Sequence, residues 1–288
     1  MQLSLGTVQF GLRYGIAGGK QLLADDDIRD VLDFAFRHGI HTLDTAPAYG
    51  DIEGRLGSLC DGIAFRIVSK IPPLPGDLDD MEAGEWAIES ARTSRSRLGN
   101  KLYALLFHRA EDLLGPRGAA VSDAIGRWGR AEGILIGASG YDAGAVRSLF
   151  VTRRISLAQL PGNALDQRID GVLEAIEPKP ELYLRSAFLQ GLLLLPLEDA
   201  IKRVPVAKFA LQQWHQWLAN HRLSPVHGAL SIIKAFSDVA SCLVGVDNKG
   251  QLEEITDAWQ IVKPISAKEL WCNDPQSIDP RLWGDVTQ

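Results

Sequence analysis

The feature that most constrains this chain is an alternation repeated from end to end: short apolar runs, each followed by a stretch with helical spacing. The runs are LSLGTVQ (Leu3 to Gln9), HTLD (His41 to Asp44), FRIVSK (Phe65 to Lys70), LYALLFH (Leu102 to His108), ILIGAS (Ile134 to Ser139), ISLAQL (Ile155 to Leu160), ELYLRS (Glu181 to Ser186) and SCLVGV (Ser241 to Val246). Most are continuously apolar rather than alternating, as strands are when both faces of their sheet are covered. Strands separated by helices build a parallel sheet, and eight is the number that closes one into a barrel. The sequence therefore predicts a single (β/α)8 barrel domain over residues 1–288. An open, doubly wound sheet is the other arrangement of the same alternation.

Helices are expected where apolar residues recur every three or four positions. IRDVLDFAFRHG follows Asp25-Asp26-Asp27, a favourable N-terminus, and stops at Gly39. Further helices are read at Glu53–Leu59, behind Asp51 as a cap, at Asp79–Leu98, Val121–Ala131, Ala143–Phe150 and Ile169–Ile176, and from Gly250 through Ile261. Between the last two strands, VAKFALQQWHQWLANH and PVHGALSIIKAF form two extra helices, with Pro225 in the first turn of the second. A Pro- and Asp-rich tail runs from Pro264.

Hydrophobic residues make up 46% of the chain and charged residues 23%, enough apolar material for a large core. A net charge of -6 argues against nucleic acid or an anionic membrane as partner. No apolar run reaches the roughly 18 residues that span a bilayer, and MQLSLGTVQFG lacks a basic flank with a long apolar core. The expectation is a cytoplasmic protein, monomeric or a weak homo-oligomer, acting on a small molecule. Cys60, Cys242 and Cys272 have no metal-site spacing and read as packing thiols; no metal is expected.

The strand ends carry the chemistry. In a barrel of this kind the active site lies where strands end and the following loops begin. Asp44, Lys70, His108, Ser139, Gln159, Ser186 and Gly245 all fall at such ends, while the strand bodies are apolar. Tyr49 follows Asp44 in a loop that Pro47 and Gly50 keep from continuing as strand. Taken singly, Asp44 reads as a turn residue, Tyr49 as a half-buried loop aromatic, Lys70 as a solvated strand terminus and His108 as a structural histidine. Together they read as a proton-transfer site. A tyrosine that exchanges protons near neutrality needs its pKa lowered by about two to three units. A lysine ammonium about 4 Å away supplies roughly 4 kcal/mol at an effective dielectric near 20. Lys70, threatened by burial, stays charged if Asp44 pairs with it, and His108 is then free to orient a substrate oxygen.

Three motifs fail. Gly15, Gly18 and Gly19 before Lys20 have the wrong spacing for a phosphate loop, and Gln21 replaces the required Ser or Thr; the segment reads as a turn over the pocket. GASGY is not a nucleophile elbow. No G-x-G-x-x-G occurs, so a dinucleotide must bind outside a Rossmann unit. Trp214 and Trp217 read as helix packing, and Trp271 and Trp283 either wall a substrate pocket or pin the tail.

On these residues the chain resembles the aldo-keto reductases, NAD(P)H-dependent carbonyl reductases on a (β/α)8 barrel, over nearly its whole length. LGTVQFG is similar to the family's opening strand, LDTAPAYG to its Asp-and-Tyr signature, VSK to its lysine strand and LLFH to its histidine strand. GASGYD, QLPGNALDQR, RSAFLQGLL and VGVDNKGQLEEI are similar to its cofactor-binding stretches. The resemblance implies Tyr49 as general acid, Lys70 as the partner that lowers its pKa, Asp44 as the lysine's counter-ion and His108 as the orienting group. It further implies Ser139 and Gln159 at the nicotinamide carboxamide, Ser186, Leu189 and Gly191 along the pyrophosphate, and Gly245, Gln251 and Glu254 near the adenosine, with Lys249 as the nearby cation. NADP is the implied cofactor and NAD the second. Three positions depart from the family pattern: Gly140 and Ile255 stand where many members carry Asn, and Val246-Asp247-Asn248-Lys249 lacks the usual arginine for the 2′-phosphate. LGTVQFGLRYGIAG looks most like bacterial members associated with sugar or surface-polysaccharide metabolism. The implied activity is reduction of an aldehyde or ketone, sugar-derived ones included. The alternatives are a non-catalytic NAD(P)-binding regulatory barrel and an NAD-dependent aldose or alcohol dehydrogenase.

Overall fold

A computed structural model of the chain describes residues 1–16 and 22–284. Gly18, Gly19, Lys20 and Gln21 of the glycine turn lie outside the described residues. Eight strands, β1 (Gln2–Gly6), β2 (Thr42–Asp44), β3 (Arg66–Ile71), β4 (Leu102–Phe107), β5 (Leu135–Ser139), β6 (Leu157–Pro161), β7 (Glu181–Arg185) and β8 (Ser241–Gly245), pair in sequence order into a closed parallel barrel. The seam is a five-residue register between β1 and β8, from Gln2 against Ser241 to Gly6 against Gly245.

Side chains alternate across a strand, so every second residue points into the barrel. Val68, Ala104, Leu106, Leu157, Tyr183 and Leu243 pack into one interior cluster. Two residues further towards the C-terminal end of their strands stand Lys70, His108, Gln159, Arg185 and Gly245. The same step leads from Thr42 to Asp44. The barrel is thus filled by an apolar layer with a polar layer seated on top. At the opposite end the hydroxyls of Tyr103 and Tyr183 both donate to Glu181, at 2.5 and 2.7 Å.

Around the barrel run α1 (Val8–Gly11), α2 (Asp25–Arg37), α3 (Ile52–Leu59), α4 (Asp80–Leu98), α5 (Gly115–Glu132), α6 (Ala143–Val151), α7 (Leu197–Arg203), α8 (Lys208–His221), α9 (Pro225–Ile233), α10 (Lys249–Ile261) and α11 (Pro275–Ile278). α2 buries Ile28, Val31, Leu32 and Ala35, the stripe its spacing predicts, and carries three aspartates in its first turn where the helix dipole favours them. Asp79 and Glu82 close a full capping box at the start of α4.

Four expectations need correction. Ile169–Ile176 is not helical: its hydrogen bonds run three residues back, from Glu174 to Gly171 and from Ile176 to Leu173, and Gly171 has a φ of 77° that an α-helix cannot hold. Three helices rather than two lie between β7 and β8, because LEDAIKR forms about two turns of its own before Pro205. The first strand stops at Gly6, and Val8–Gly11 coils back under the Tyr49 loop. Asp51 makes no side-chain cap bond to α3 and lies 4.0 Å from Arg55 instead.

The tryptophans brace the outer shell. Trp214 donates to the carbonyl of Leu193 at 3.0 Å, Trp217 to Glu269 at 3.0 Å, and Trp283 to the carbonyl of Gln276 at 2.8 Å. Trp283 therefore pins the tail, and neither it nor Trp271 lines the cavity over the barrel.

Candidate active site

Six strand ends deliver a side chain to the rim, Asp44, Lys70, His108, Ser139, Gln159 and Arg185, while β1 and β8 end there in Gly6 and Gly245. Both the backbone N–H and the hydroxyl of Thr7 donate to the Asp44 carbonyl at 2.9 Å, which locks the end of β2 against β1. The Asp44 carboxylate pairs with the Lys70 ammonium and accepts from the Gln159 amide at 2.5 Å. Lys70, only 2% exposed, also donates to the carbonyl of Thr45 at 3.1 Å. Burial is the largest influence on Lys70 and lowers its pKa; the charge of Asp44 and its hydrogen bond oppose that. Those two contacts are what favours the charged form in so enclosed a place.

Tyr49 hangs in a turn closed by its own N–H on the carbonyl of Ala46, 3.0 Å away. Gly50 ends the turn at a φ of 76°, and Gly11 lies beneath it so closely that a Cβ there would stand 1.9 Å from the Tyr49 carbonyl oxygen. The Tyr49 hydroxyl makes no hydrogen bond to a described residue. Its pKa is raised, chiefly by burial, then by the charge of Asp44, with Arg185 pulling it down. Lys70 was expected to acidify the phenol. In the folded site the Lys70 ammonium donates to Asp44 and Thr45, while burial and the Asp44 charge raise the phenol and the Arg185 charge lowers it. His108, whose backbone N–H donates to the carbonyl of Ile71 at 2.9 Å, is shifted below its usual value by burial first and by Lys70 and Arg185 next.

These groups line a cavity of about 600 Å³. Asp44, Tyr49, Lys70 and His108 share it with Ser139 and Gln159. Ser186, Gly191, Gly245, Gln251 and Glu254 line it further along, beside Ile255 and Asp247. Two expected members stay out. Leu189 is buried in the core, and Lys249 turns to Glu253, 3.3 Å away, and to the ring of Phe34. Ser186, Leu189 and Gln190 hold positive φ values of 62°, 49° and 55°, local backbone strain of the kind that collects at ligand-binding loops.

Sequence reasoning missed Arg185, Tyr141, Tyr14, Gln190 and Gln9, all cavity-lining. Arg185 was legible: stepping by two along β7 from Tyr183 reaches it, whereas choosing the last polar letter of the run picks Ser186. Tyr14, Tyr141, Gln9 and Gln190 sit in loops or a short turn, where no periodicity marks them. Among the described residues there is no cluster of three or more metal-ligating side chains.

The molecule is a (β/α)8 barrel with an ion-paired lysine, a phenol and an imidazole gathered at the C-terminal rim of its strands. Among solved structures with the same barrel, the following are described as aldo-keto reductases or carry such a designation. AKR11C1 from Bacillus halodurans, in its holo form, is 16% identical over all of this chain and 92% of its own, with a TM-score of 0.68. The glycerol dehydrogenase AKR11B4 from Gluconobacter oxydans is 17% identical over 93% of this chain and 88% of its own, at 0.67. A Pseudomonas aeruginosa protein assigned to the aldo-keto reductases is 24% identical over 89% and 88%, at 0.65. At these identities the likeness is one of fold. No protein-family model and no curated protein matches the sequence.

Proposed function

We propose that this protein is a nicotinamide-dependent carbonyl reductase of the aldo-keto reductase type, with Tyr49 as the general acid. The observation that carries the reading is the joint arrival of Asp44, Tyr49, Lys70 and His108 at one cavity from three strands and a loop. The cavity suits an extended dinucleotide: it runs from the Lys70 end to Gly245, Gln251 and Glu254, and the side-chain oxygen of Gln9 is buried there without a partner. A Cβ at Gly245 would meet the Gln9 side chain at 2.5 Å, so glycine keeps that passage open. Ser139 and Gln159 are the residues for a carboxamide; the Gln159 nitrogen serves Asp44, leaving its oxygen for an outside donor. Ser186 and Gly191 follow along the phosphates.

When bound, the reduced cofactor supplies the hydride. The protein supplies the proton and the geometry. His108, kept neutral, donates one N–H to the carbonyl oxygen, and the protonated Tyr49 hydroxyl gives its proton to the same oxygen as negative charge grows there. Lys70 holds positive charge beneath the site, and Asp44 keeps Lys70 protonated. A phenol held above its ordinary pKa is an acid rather than a base at neutrality. An intact set of proton-transfer groups supports an enzyme over a regulatory barrel. The resemblance implied NADP. The acidic far wall, Asp247 and Glu254 with no lysine or arginine lining it among the described residues, supports NAD instead.

Replacing Tyr49 with Phe tests the reading. Turnover of a good aldehyde substrate should fall by about 10² to 10⁴, the usual worth of a general acid, while cofactor affinity measured by fluorescence quenching stays within about threefold. Unchanged turnover would remove Tyr49 from the chemistry.

A further inference from the structure

We propose that Arg185 is the receptor for an anionic group on the substrate, so that the carbonyl compounds reduced at this site carry a carboxylate. The inference rests on the carbonyl-reductase reading and deepens it.

Arg185 belongs to the same inward-facing layer as Lys70, His108 and Gln159, by the register of its strand, and it lines the reaction end of the cavity. Its guanidinium is held, not paired. One arm donates to the carbonyl of Gly140 at 3.0 Å, the other reaches the Ser186 hydroxyl at 3.4 Å, and the plane stacks over Tyr141 at 4.1 Å. Its Nε is buried without a hydrogen-bond partner. No carboxylate of a described residue lies within ion-pairing distance. The carboxylates nearby are committed elsewhere: Asp44 to Lys70, and Asp166 to Arg168 at 2.7 Å.

A second arginine supplies the contrast. Arg281 stacks over the same tyrosine ring at 3.4 Å, yet it holds Asp279 through both its Nε, at 2.9 Å, and Nη2, at 2.5 Å. Of the two guanidiniums on Tyr141, the one away from the cavity is neutralised and the one lining it is left charged. With Lys70 balanced by Asp44 and His108 neutral, Arg185 gives the reaction end a net positive charge. A guanidinium taken out of water without a counter-charge is costly, and a bound anion removes that cost. Its planar fork matches a carboxylate, and stacking on Tyr141 has already fixed its orientation.

The test compares matched substrates that differ in one charge: 4-carboxybenzaldehyde against its methyl ester, and succinic semialdehyde against butanal. The wild-type protein is expected to prefer the acid of each pair by about tenfold or more in kcat/KM, the worth of one charge-assisted contact. Arg185→Met should bring each ratio to about one, whatever it does to the rate common to both members of a pair, and Arg185→Lys should restore part of the preference. Affinity for NADH should not change. Calorimetry with benzoate and benzamide reads the same contact without turnover: Arg185→Met should weaken benzoate alone. Equal use of acid and neutral substrates by the wild type overturns the proposal, as does an equal loss on both in Arg185→Met. A tenfold loss of NADH affinity with the substrate ratio unchanged also overturns it, since the guanidinium then serves cofactor phosphate. If no carbonyl compound of either kind is reduced, the carbonyl-reductase reading fails. The calorimetry then decides for Arg185 alone, equal benzoate binding by wild type and Arg185→Met sinking its role.

Discussion

At the scale of single residues, the site is tuned by two shifts of opposite sign. Tyr49 is raised by burial first and by the charge of Asp44 next, so its proton is retained through and above the ordinary range of a phenol. His108 is lowered by burial first and then by the cations Lys70 and Arg185, so its neutral form persists below the usual histidine value. Neither group changes protonation between its shifted pKa and its ordinary one. For reduction, kcat/KM should therefore be level from about pH 6.5 to about pH 9, with the acid limb only below that span. A steady-state profile at constant ionic strength checks this. A limb inside the span that disappears in Tyr49→Phe or His108→Gln would show that the shifts run the other way. The same pair marks what could and could not be read from the sequence. Identity and strand position placed Asp44, Lys70 and His108 correctly, because a strand end is a one-dimensional address. The balance of forces on Tyr49 was not readable, because it depends on burial and on Arg185, which comes from a strand far away in the chain.

Elements were legible where packing and period coincide. The strands showed because a sheet covered on both faces needs continuous apolar runs; α2 showed because an apolar stripe follows an acidic first turn, and α4 because Asp79 opens a long helical run. Ile169–Ile176 carried a helix-like stripe, but Gly171 at positive φ diverts the backbone into consecutive turns. α5 begins earlier than its apolar pattern because Pro116, a breaker in mid-helix, is well placed in a first turn. The contact between α1 and the Tyr49 loop was invisible for a different reason: it is set by the absence of a side chain. A methyl group at Gly11 meets a backbone oxygen at 1.9 Å, which no rotamer change relieves. Gly11→Ala should cost about 1 to 3 kcal/mol in urea denaturation, as overpacking does. It should also lower kcat at least tenfold, since small displacements of a positioned group are expensive. Gly54→Ala, which finds nothing within 4 Å, is the matched control and should leave kcat unchanged. Equal kcat values in the two variants would mean that Gly11 does not hold the Tyr49 loop.

Across the whole molecule, charge is distributed along the cavity as well as over the surface. The reaction end holds Lys70 with its counter-ion and the unpaired Arg185. The segment after β8 brings Asp247, Gln251 and Glu254 to the same cavity. Gln251 folds back on the turn where β8 gives way to α10, its oxygen accepting from the Asp247 N–H at 2.8 Å and its amide nitrogen donating to one oxygen of the Asp247 carboxylate at 3.4 Å. Lys249, the cation nearest in sequence, is drawn off by Glu253. A ribose with free hydroxyls can donate to such carboxylates. A ribose 2′-phosphate, at about −1.5 to −2 charge near neutrality, is repelled by them. Two like unit charges about 6 Å apart repel by roughly 0.7 kcal/mol at an effective dielectric of 80 and by roughly 3 kcal/mol at 20. NADH should therefore bind at least about tenfold more tightly than NADPH, with the gap narrowing as salt is raised, because these carboxylates are partly solvated. Asp247→Arg removes the repulsion and supplies a bidentate phosphate partner, so it should close or reverse the gap. Fluorescence titrations of both cofactors into wild type and variant, at low and high salt, measure it. Equal affinities in the wild type, or an Asp247→Arg protein that still prefers NADH by the same factor, would show that the acidic wall does not face the ribose.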